Sequence, residues 1–232
     1  MDIKLMTFNT QHCLNYIEKT IDFSLMADVV RRFDADVVGL NEMYFGGEAP
    51  DFSDQVGRLA ELCDYPYHTF GLALKGGPHG EYGNGTMSRL VPASRELISI
   101  PSPEDGEYHE PRVIIKTRYE NGLTVLVSHF GLGEEEKKNA VRTALAHIEK
   151  EKCVLMGDFN MTPDCPILSP IFEAMKDTAT AAAHACLSYP SPEPIKKIDY
   201  IFVSRDIEVL SADVPDAVAS DHRPHVATVR IV

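Results

Sequence analysis

Residues 113–160 read VIIKTRYENGLTVLVSHFGLGEEEKKNAVRTALAHIEKEKCVLMGDFN. Val113 to Tyr119 and Leu123 to Phe130 are two apolar-rich strands. They are joined through Asn121-Gly122, a pair that tolerates the positive φ of a tight hairpin turn. From Glu134 to Lys150 the period changes. Ala140, Val141, Ala144, Leu145 and Ile148 recur at helical spacing, and Val154-Leu155-Met156 follows as a short buried strand. A hairpin and a helix-connected strand within one stretch do not suit an open, purely parallel sheet.

The rest of the chain repeats this mixture. Ile3 to Phe8 and Val37 to Leu40 are strands, the second an unbroken apolar run of the kind buried on both faces. Between them Phe23, Met26, Val29, Val30 and Phe33 mark a helix with Asp22 as its N-cap. Phe52 to Cys63 reads as another helix, Phe70 to Leu74 as a strand, and the Gly-rich stretch Gly76 to Gly85 as a loop before Thr86-Met87-Ser88 resumes extended structure. Pro166 to Met175 is a short helix and Tyr189 to Pro194 a Pro-rich loop. Ile198 to Val203, Ile207 to Leu210 and Val226 to Val232 are strands. With no internal repeat and no dividing linker, the expectation is one domain over residues 1–232: a mixed α/β fold of two stacked sheets with helices on the outer faces.

With 22 Lys+Arg against 35 Asp+Glu, the net charge is −13, which gives no broad electrostatic footprint for nucleic acid. Cys13, Cys63, Cys153, Cys165 and Cys186 are scattered and odd in number, so reduced thiols and a reducing cytoplasm are expected. No apolar run approaches the roughly 20 residues of a membrane-spanning helix, and the N-terminus lacks a signal-peptide pattern.

Polar residues recur where apolar strands end: Asn9, Glu42, His129, Asp158 and Asn160, then Asp199 at the start of a strand and Asp221-His222 before the last one. A rigid core can present such groups on one rim. Singly, each is more often a turn-former or a solvated side chain, and a lone histidine such as His12, His68, His79, His109, His147, His184 or His225 is usually packed or exposed without function. Jointly they suit hydrolysis of a phosphate ester. Hard oxygen ligands such as Glu42, Asp158 and Asp221 fit Mg²⁺ or Mn²⁺, and the lack of clustered Cys argues against structural zinc. A carboxylate can act as base toward water, while an imidazolium held by a carboxylate donates to phosphoryl oxygens.

In order along the chain, Thr7-Phe8-Asn9, Gly39-Leu40-Asn41-Glu42, Gly83 to Arg89, Glu110-Pro111-Arg112 and Ser128 to Leu132 resemble the endonuclease/exonuclease/phosphatase superfamily, also called DNase I-like. So do Gly157-Asp158-Phe159-Asn160, Lys197 to Phe202 and Ser220-Asp221-His222-Arg223-Pro224. The resemblance implies a four-layer αββα sandwich and a divalent-metal-dependent phosphoesterase, with Mg²⁺ as cofactor and Mn²⁺ as its substitute. Glu42 would be the principal metal ligand, with Asn9 and Asp221 near the same ion. Asp158 would activate or orient water, and Asn160 would position phosphate or water. His222 would contact the phosphate with Asp199 behind it, and His129 and Arg112 would bind phosphoryl oxygens. The general base stays open between Asp158 and His222.

Three positions depart from the family pattern. Asn41 stands where many members have Gln, Phe130 replaces the usual Leu, and Arg112 occupies the region where abasic-site nucleases place a tyrosine. The favoured substrate is a small phosphodiester or phosphomonoester or a lipid or sugar head group. Nuclease action on DNA or RNA is the alternative, and a non-catalytic binding relative ranks below both. The phosphate ester is the one partner implied. Oligomeric state is not legible. The segments from Lys75 to Tyr82 and from Tyr189 to Pro194 are expected to border the pocket.

Overall fold

The computed structural model describes residues 1–77 and 79–231, so Pro78, within the segments Gly76 to Gly85 and Lys75 to Tyr82, and Val232, at the end of the last expected strand, lie outside the described residues. Among the described residues there are twelve strands: β1 (Asp2–Asn9), β2 (Val37–Phe45), β3 (Tyr67–Gly77), β4 (Gly80–Ser88), β5 (Pro92–Ile100), β6 (Arg112–Tyr119), β7 (Thr124–His129), β8 (Cys153–Asp158), β9 (Lys176–Asp177), β10 (Asp199–Val203), β11 (Glu208–Asp213) and β12 (His225–Arg230). Four α-helices accompany them: α1 (Phe23–Phe33), α2 (Gln55–Leu62), α3 (Glu134–His147) and α4 (Ser169–Ala174). The strands form two six-stranded sheets, ordered β11-β12-β1-β2-β4-β3 and β5-β6-β7-β8-β10-β9. Each has one parallel pair at its centre, β1 with β2 and β7 with β8.

Side-chain alternation builds the layers. On β1, Ile3 and Leu5 point into the space between the sheets, while Met6 and Phe8 point outward to α1 and α2. On β7 and β8, Val125, Val127, Val154 and Met156 face the other sheet, and Leu126 and Leu155 face α3. On β10, Ile201 and Val203 face inward, and Tyr200 and Phe202 outward. Strands buried on both faces need apolar residues at successive positions, which is why these segments read as unbroken apolar runs. The result is a four-layer αββα sandwich with three apolar layers. Among the described residues, no helix is long and apolar enough to cross a membrane.

Several boundaries differ from the sequence reading. The Gly-rich stretch from Gly76 to Gly85 is not a loop, because β3 and β4 run through most of it as a long antiparallel pair. The glycines permit close pairing: a Cβ on Gly83 would lie 1.9 Å from the carbonyl oxygen of Gly71. The helix expected from Phe52 starts at Gln55, after a 3-10 turn at Pro50–Phe52, since Asp54 is the residue whose carboxylate caps the helix by accepting from Gly57 N at 2.8 Å. Helix α3 ends at His147 rather than Lys150. Strand β5 was not anticipated; Ser94, Arg95 and Glu96 leave it exposed and without an apolar run.

His225, at the start of β12, is fully buried, with Nε2 3.3 Å from Thr178 Oγ1 and Nδ1 3.3 Å from the Asp199 carbonyl oxygen. Burial, reinforced by the nearby charge of Lys197, pushes its pKa down to about 3. The unfolded chain takes up a proton near pH 6.5 that the folded chain refuses. This contribution to stability is therefore intact above pH 6.5 and lost as the pH falls toward 3, at about 1.4 kcal/mol per unit. Urea unfolding at pH 7 and pH 5.5 is expected to show a loss about 1 kcal/mol smaller in His225→Asn than in the wild type.

Candidate active site

The site sits where the central strands of both sheets end. Strand register aligns its parts: Asn9 opposite Asn41, His129 opposite Asp158, and Asp199 opposite Asp158. In β2 the register slips between Leu40 and Met43, and Glu42 occupies this bulge at φ +61°. Bulges re-aim side chains, and left-handed backbone at a non-glycine residue is strain that persists only where its surroundings enforce it. At the end of β8, Gly157 holds φ +145°, where a Cβ would lie 1.8 Å from Ser128 O. Only glycine lets β8 approach β7 this closely just before Asp158.

Asn41 joins the two sheets. Its Oδ1 accepts from Asp158 N at 3.0 Å, while its Nδ2 donates to Ser128 O at 3.0 Å and to Asn84 Oδ1 at 2.9 Å. Asn84 Nδ2 in turn donates to Val113 O at 3.0 Å. The shorter carboxamide noted in the sequence thus reaches β7 and β8 directly. Phe130 stacks on Phe159 with ring centroids 4.3 Å apart, beneath the loop carrying Asn160.

Asp158 is the hub. Its Oδ2 accepts from Asn9 Nδ2 at 3.1 Å and lies 3.5 Å from His129 Nε2 and 3.6 Å from His222 Nε2, while its Oδ1 accepts from Asn160 N at 2.9 Å. Asn9 Nδ2 also donates to Glu42 Oε1 at 2.9 Å, and Asn9 Oδ1 accepts from Gln11 N at 3.0 Å. His222 Nδ1 is 2.8 Å from Asp199 Oδ2, and Ser188 Oγ donates to the same oxygen at 2.6 Å. Asp199 Oδ1 has no hydrogen-bond partner among the described residues. Behind this pair, Lys197 Nζ donates to the Asp199 carbonyl at 3.2 Å and lies 3.4 Å from Asp177 Oδ2. On the other flank, Arg112 Nη1 is 3.0 Å from His129 Nδ1 and 2.8 Å from Glu110 Oε1. Asn160 Nδ2 is 3.1 Å from His129 Nε2 and donates to Phe130 O at 3.0 Å.

These environments separate the titrating groups. Burial works against charge on His222, but Asp199 and Asp158 outweigh it and lift its pKa to about 10. Burial raises Asp158, with His222 opposing. His129 is held well below the usual histidine range by burial and by the charges of Arg112 and His222, so its ring is neutral. Burial also raises Glu42, Asn9 opposes through its hydrogen bond, and Asp221 adds repulsion.

Of the nine residues expected from the sequence, seven line one cleft of about 730 Å³: Glu42, Arg112, His129, Asp158, Asn160, Asp221 and His222. Asn9 and Asp199 lie buried beneath it. Sequence reading missed Ser188, and it found no tyrosine for this region. The structure brings two, Tyr82 from β4 and Tyr189, whose ring centroid is 4.9 Å from that of His222. Tyr189 lay inside a segment expected to border the pocket, whereas nothing in the sequence separates Ser188 from any loop serine.

Among the described residues, neither Glu42 nor Asp221 has a Lys or Arg partner within 4 Å. Two carboxylates facing a cleft, one of them desolvated, suit a divalent cation with hard oxygen ligands. Asp158, Asp199 and His222 also offer atoms within 4.8 Å of one another. However, the atoms joining Asp199 to His222 are already committed to each other by the 2.8 Å hydrogen bond.

A model of the "Endonuclease/Exonuclease/phosphatase family" matches residues 6–222. Among solved structures, an endonuclease/exonuclease/phosphatase from Beutenbergia cavernae aligns at TM-score 0.83 and 26% identity, covering 99% of this chain and 72% of that one. One from Bacteroides vulgatus aligns at 0.80 and 19%, covering 100% of both chains. A mannosyl-6-phosphatase from Bacteroides thetaiotaomicron aligns at 0.75 and 14%, covering 99% of this chain and 100% of the other. The last two likenesses show a common fold alone. No curated protein matches in sequence.

Proposed function

Because the chain belongs to the endonuclease/exonuclease/phosphatase family of metal-dependent phosphoesterases and nucleases, we propose that it hydrolyses a phosphodiester or phosphomonoester of a small molecule or of a lipid or sugar head group. The observation that carries this reading is the convergence of Asp158, of the His222–Asp199 pair and of the Arg112–His129–Asn160 group on one cleft. The participating residues run from Asn9 to His222 and draw on both sheets, which supports one catalytic domain over residues 1–232. The net charge of −13 favours small substrates over nucleic acid. Five free cysteines support a reducing, cytoplasmic setting.

Mg²⁺, or Mn²⁺ in its place, would be held by Glu42 and Asp221, with Asn9 beside them tying Glu42 to Asp158. When bound it supplies Lewis-acid stabilisation of charge on phosphoryl and leaving oxygens. Arg112 and Asn160 orient the phosphoryl oxygens, and neutral His129, bracketed by both, keeps their geometry. Asp158 takes a proton from the attacking water as the water oxygen bonds to phosphorus, and the bond to the ester oxygen breaks. His222 stays protonated and donates from Nε2 to a phosphoryl oxygen, its ring fixed by Asp199 at Nδ1. A raised carboxylate suits general-base work near neutral pH, and an imidazolium lifted to about 10 suits donation better than proton abstraction.

Metal-dependent turnover of bis-p-nitrophenyl phosphate or p-nitrophenyl phosphate, abolished by EDTA, is the expected result. Absence of turnover with Mg²⁺ or Mn²⁺ on these esters, plasmid DNA and a phospholipid would overturn the reading. Ser188→Ala is expected to lower kcat about tenfold with KM unchanged, since it removes one hydrogen bond to a charged group, and Ser188→Thr is expected to restore it. An unchanged kcat in Ser188→Ala would deny the hydroxyl a positioning role.

A further inference from the structure

The cleft continues past its catalytic wall. Leu132, Lys137 and Cys165 line it on the α3 side, and the same three residues line an adjoining groove of about 900 Å³. That groove lies between α3 and the turn at Pro166–Leu168, and Val141, Leu145, Ile167 and Pro170 contribute apolar surface to it. Two features at the junction lack a structural explanation. Leu132 is 71% exposed, an apolar side chain held in water at the border of two cavities. Lys137 has no acidic partner within 4 Å among the described residues, although neighbouring Lys138 is bound to Glu134 and Glu135 at 2.6 and 2.8 Å.

Moving out from the catalytic groups, a ligand meets phosphate-orienting residues, then Lys137, then a groove whose other cations are engaged, Lys138 with Glu134 and Glu135 and Arg142 with Asn139 Oδ1 at 3.0 Å, and whose remaining surface is apolar. We propose that this groove is the subsite for a linear alkyl chain esterified to the scissile phosphate, with Lys137 at the junction drawing in the phosphate charge and Leu132 packing against the chain. The proposal rests on the phosphoesterase reading above and narrows its substrate class. Beyond Lys137 the groove's side-chain donors, Lys138 and Arg142, are already engaged by Glu134, Glu135 and Asn139, so an oligonucleotide phosphate or a sugar hydroxyl would have to compete for them, whereas Val141, Leu145, Ile167 and Pro170 take an alkyl chain without displacing a bond.

Burying one methylene fully is worth up to about fourfold in affinity, and an open groove about half of that free energy, or about twofold per methylene. The test uses calorimetric affinities for methyl-, butyl- and octylphosphonate in Mg²⁺, alongside hydrolysis of methyl, butyl and octyl p-nitrophenyl phosphate. In the wild type, affinity and kcat/KM are expected to rise at least about thirtyfold from methyl to octyl. Leu132→Glu and Leu145→Gln are expected to flatten both series to under about threefold, and Leu145→Gln, which lies outside the catalytic cleft, is expected to leave turnover of the methyl ester unchanged. Leu132→Glu changes an exposed position, so its result does not depend on core packing. Equal affinity across the wild-type series, or a full chain-length response in both variants, overturns the proposal. Hydrolysis of all three esters without chain-length preference overturns the groove alone. Graded phosphonate binding without hydrolysis of any ester supports the groove and overturns the hydrolase reading.

Discussion

Asp158→Asn is expected to lower turnover at least about a hundredfold while leaving the fold intact. The amide is isosteric and can still accept from Asn160 N, so the loop after β8 keeps its anchor. What disappears is the capacity to take a proton, together with the negative charge facing His222 and His129 across 3.6 and 3.5 Å. Burial already penalises that charge in the folded state, but the amide N–H₂ would face the Asn9 Nδ2 donor and leave His222 without one of its two counter-charges, so the variant is expected to melt within about 5 °C of the wild type. Steady-state kinetics on bis-p-nitrophenyl phosphate, paired with a thermal melt, reads both. Turnover within about threefold of the wild type would remove Asp158 from the role of base.

Glu42→Gln should act through the ion. At a metal concentration about a hundred times its dissociation constant, binding stabilises the folded state by about 2.7 kcal/mol, or roughly 5–10 °C for a chain of this size. The variant is expected to lose that increment for Mg²⁺ and Mn²⁺ alike, and turnover at least about a hundredfold. Without metal the order reverses. Burial raises the pKa of Glu42, with Asp221 adding repulsion, so the ionised side chain destabilises the folded state at neutral pH, and Gln should melt at the same temperature or higher. Glutamine is the substitution to use because it can keep a hydrogen bond to Asn9. A full metal-induced shift in the variant would place the ion elsewhere.

Much of this was legible in the sequence, for a physical reason. Strands such as Val154-Leu155-Met156 are buried on both faces, so their composition announces them, and the polar residue that follows each is exposed to reading by contrast. The site residues from Asn9 to His222 stand out in this way. Strand β5 escaped because an edge strand over solvent needs no apolar run, and β3 with β4 escaped because glycines that permit close strand pairing look like glycines that permit turns. Ser188 escaped for a different reason. Its importance lies in a 2.6 Å contact with Asp199, eleven residues away, which no local pattern encodes. The apolar groove beside α3 was equally invisible, because Leu145 reads as one more apolar position of that helix and nothing local shows that it borders a groove.

The Asn41 side chain has a consequence for how the protein can be cut or rearranged. It belongs to the first sheet, yet it holds the backbone of Asp158, 117 residues later, and of Ser128 in the second. Glu42, the proposed metal ligand, is its chain neighbour, so in the proposed mechanism the spacing between metal and base would be set by one carboxamide that joins two distant parts of the polypeptide. The fragment after residue 108 would carry seven of the nine site residues but not Asn9, Glu42 or the Asn41 side chain that holds Asp158. Fragments split in the exposed segment around residues 102–108 would regain activity only on reassociation, and then all at once.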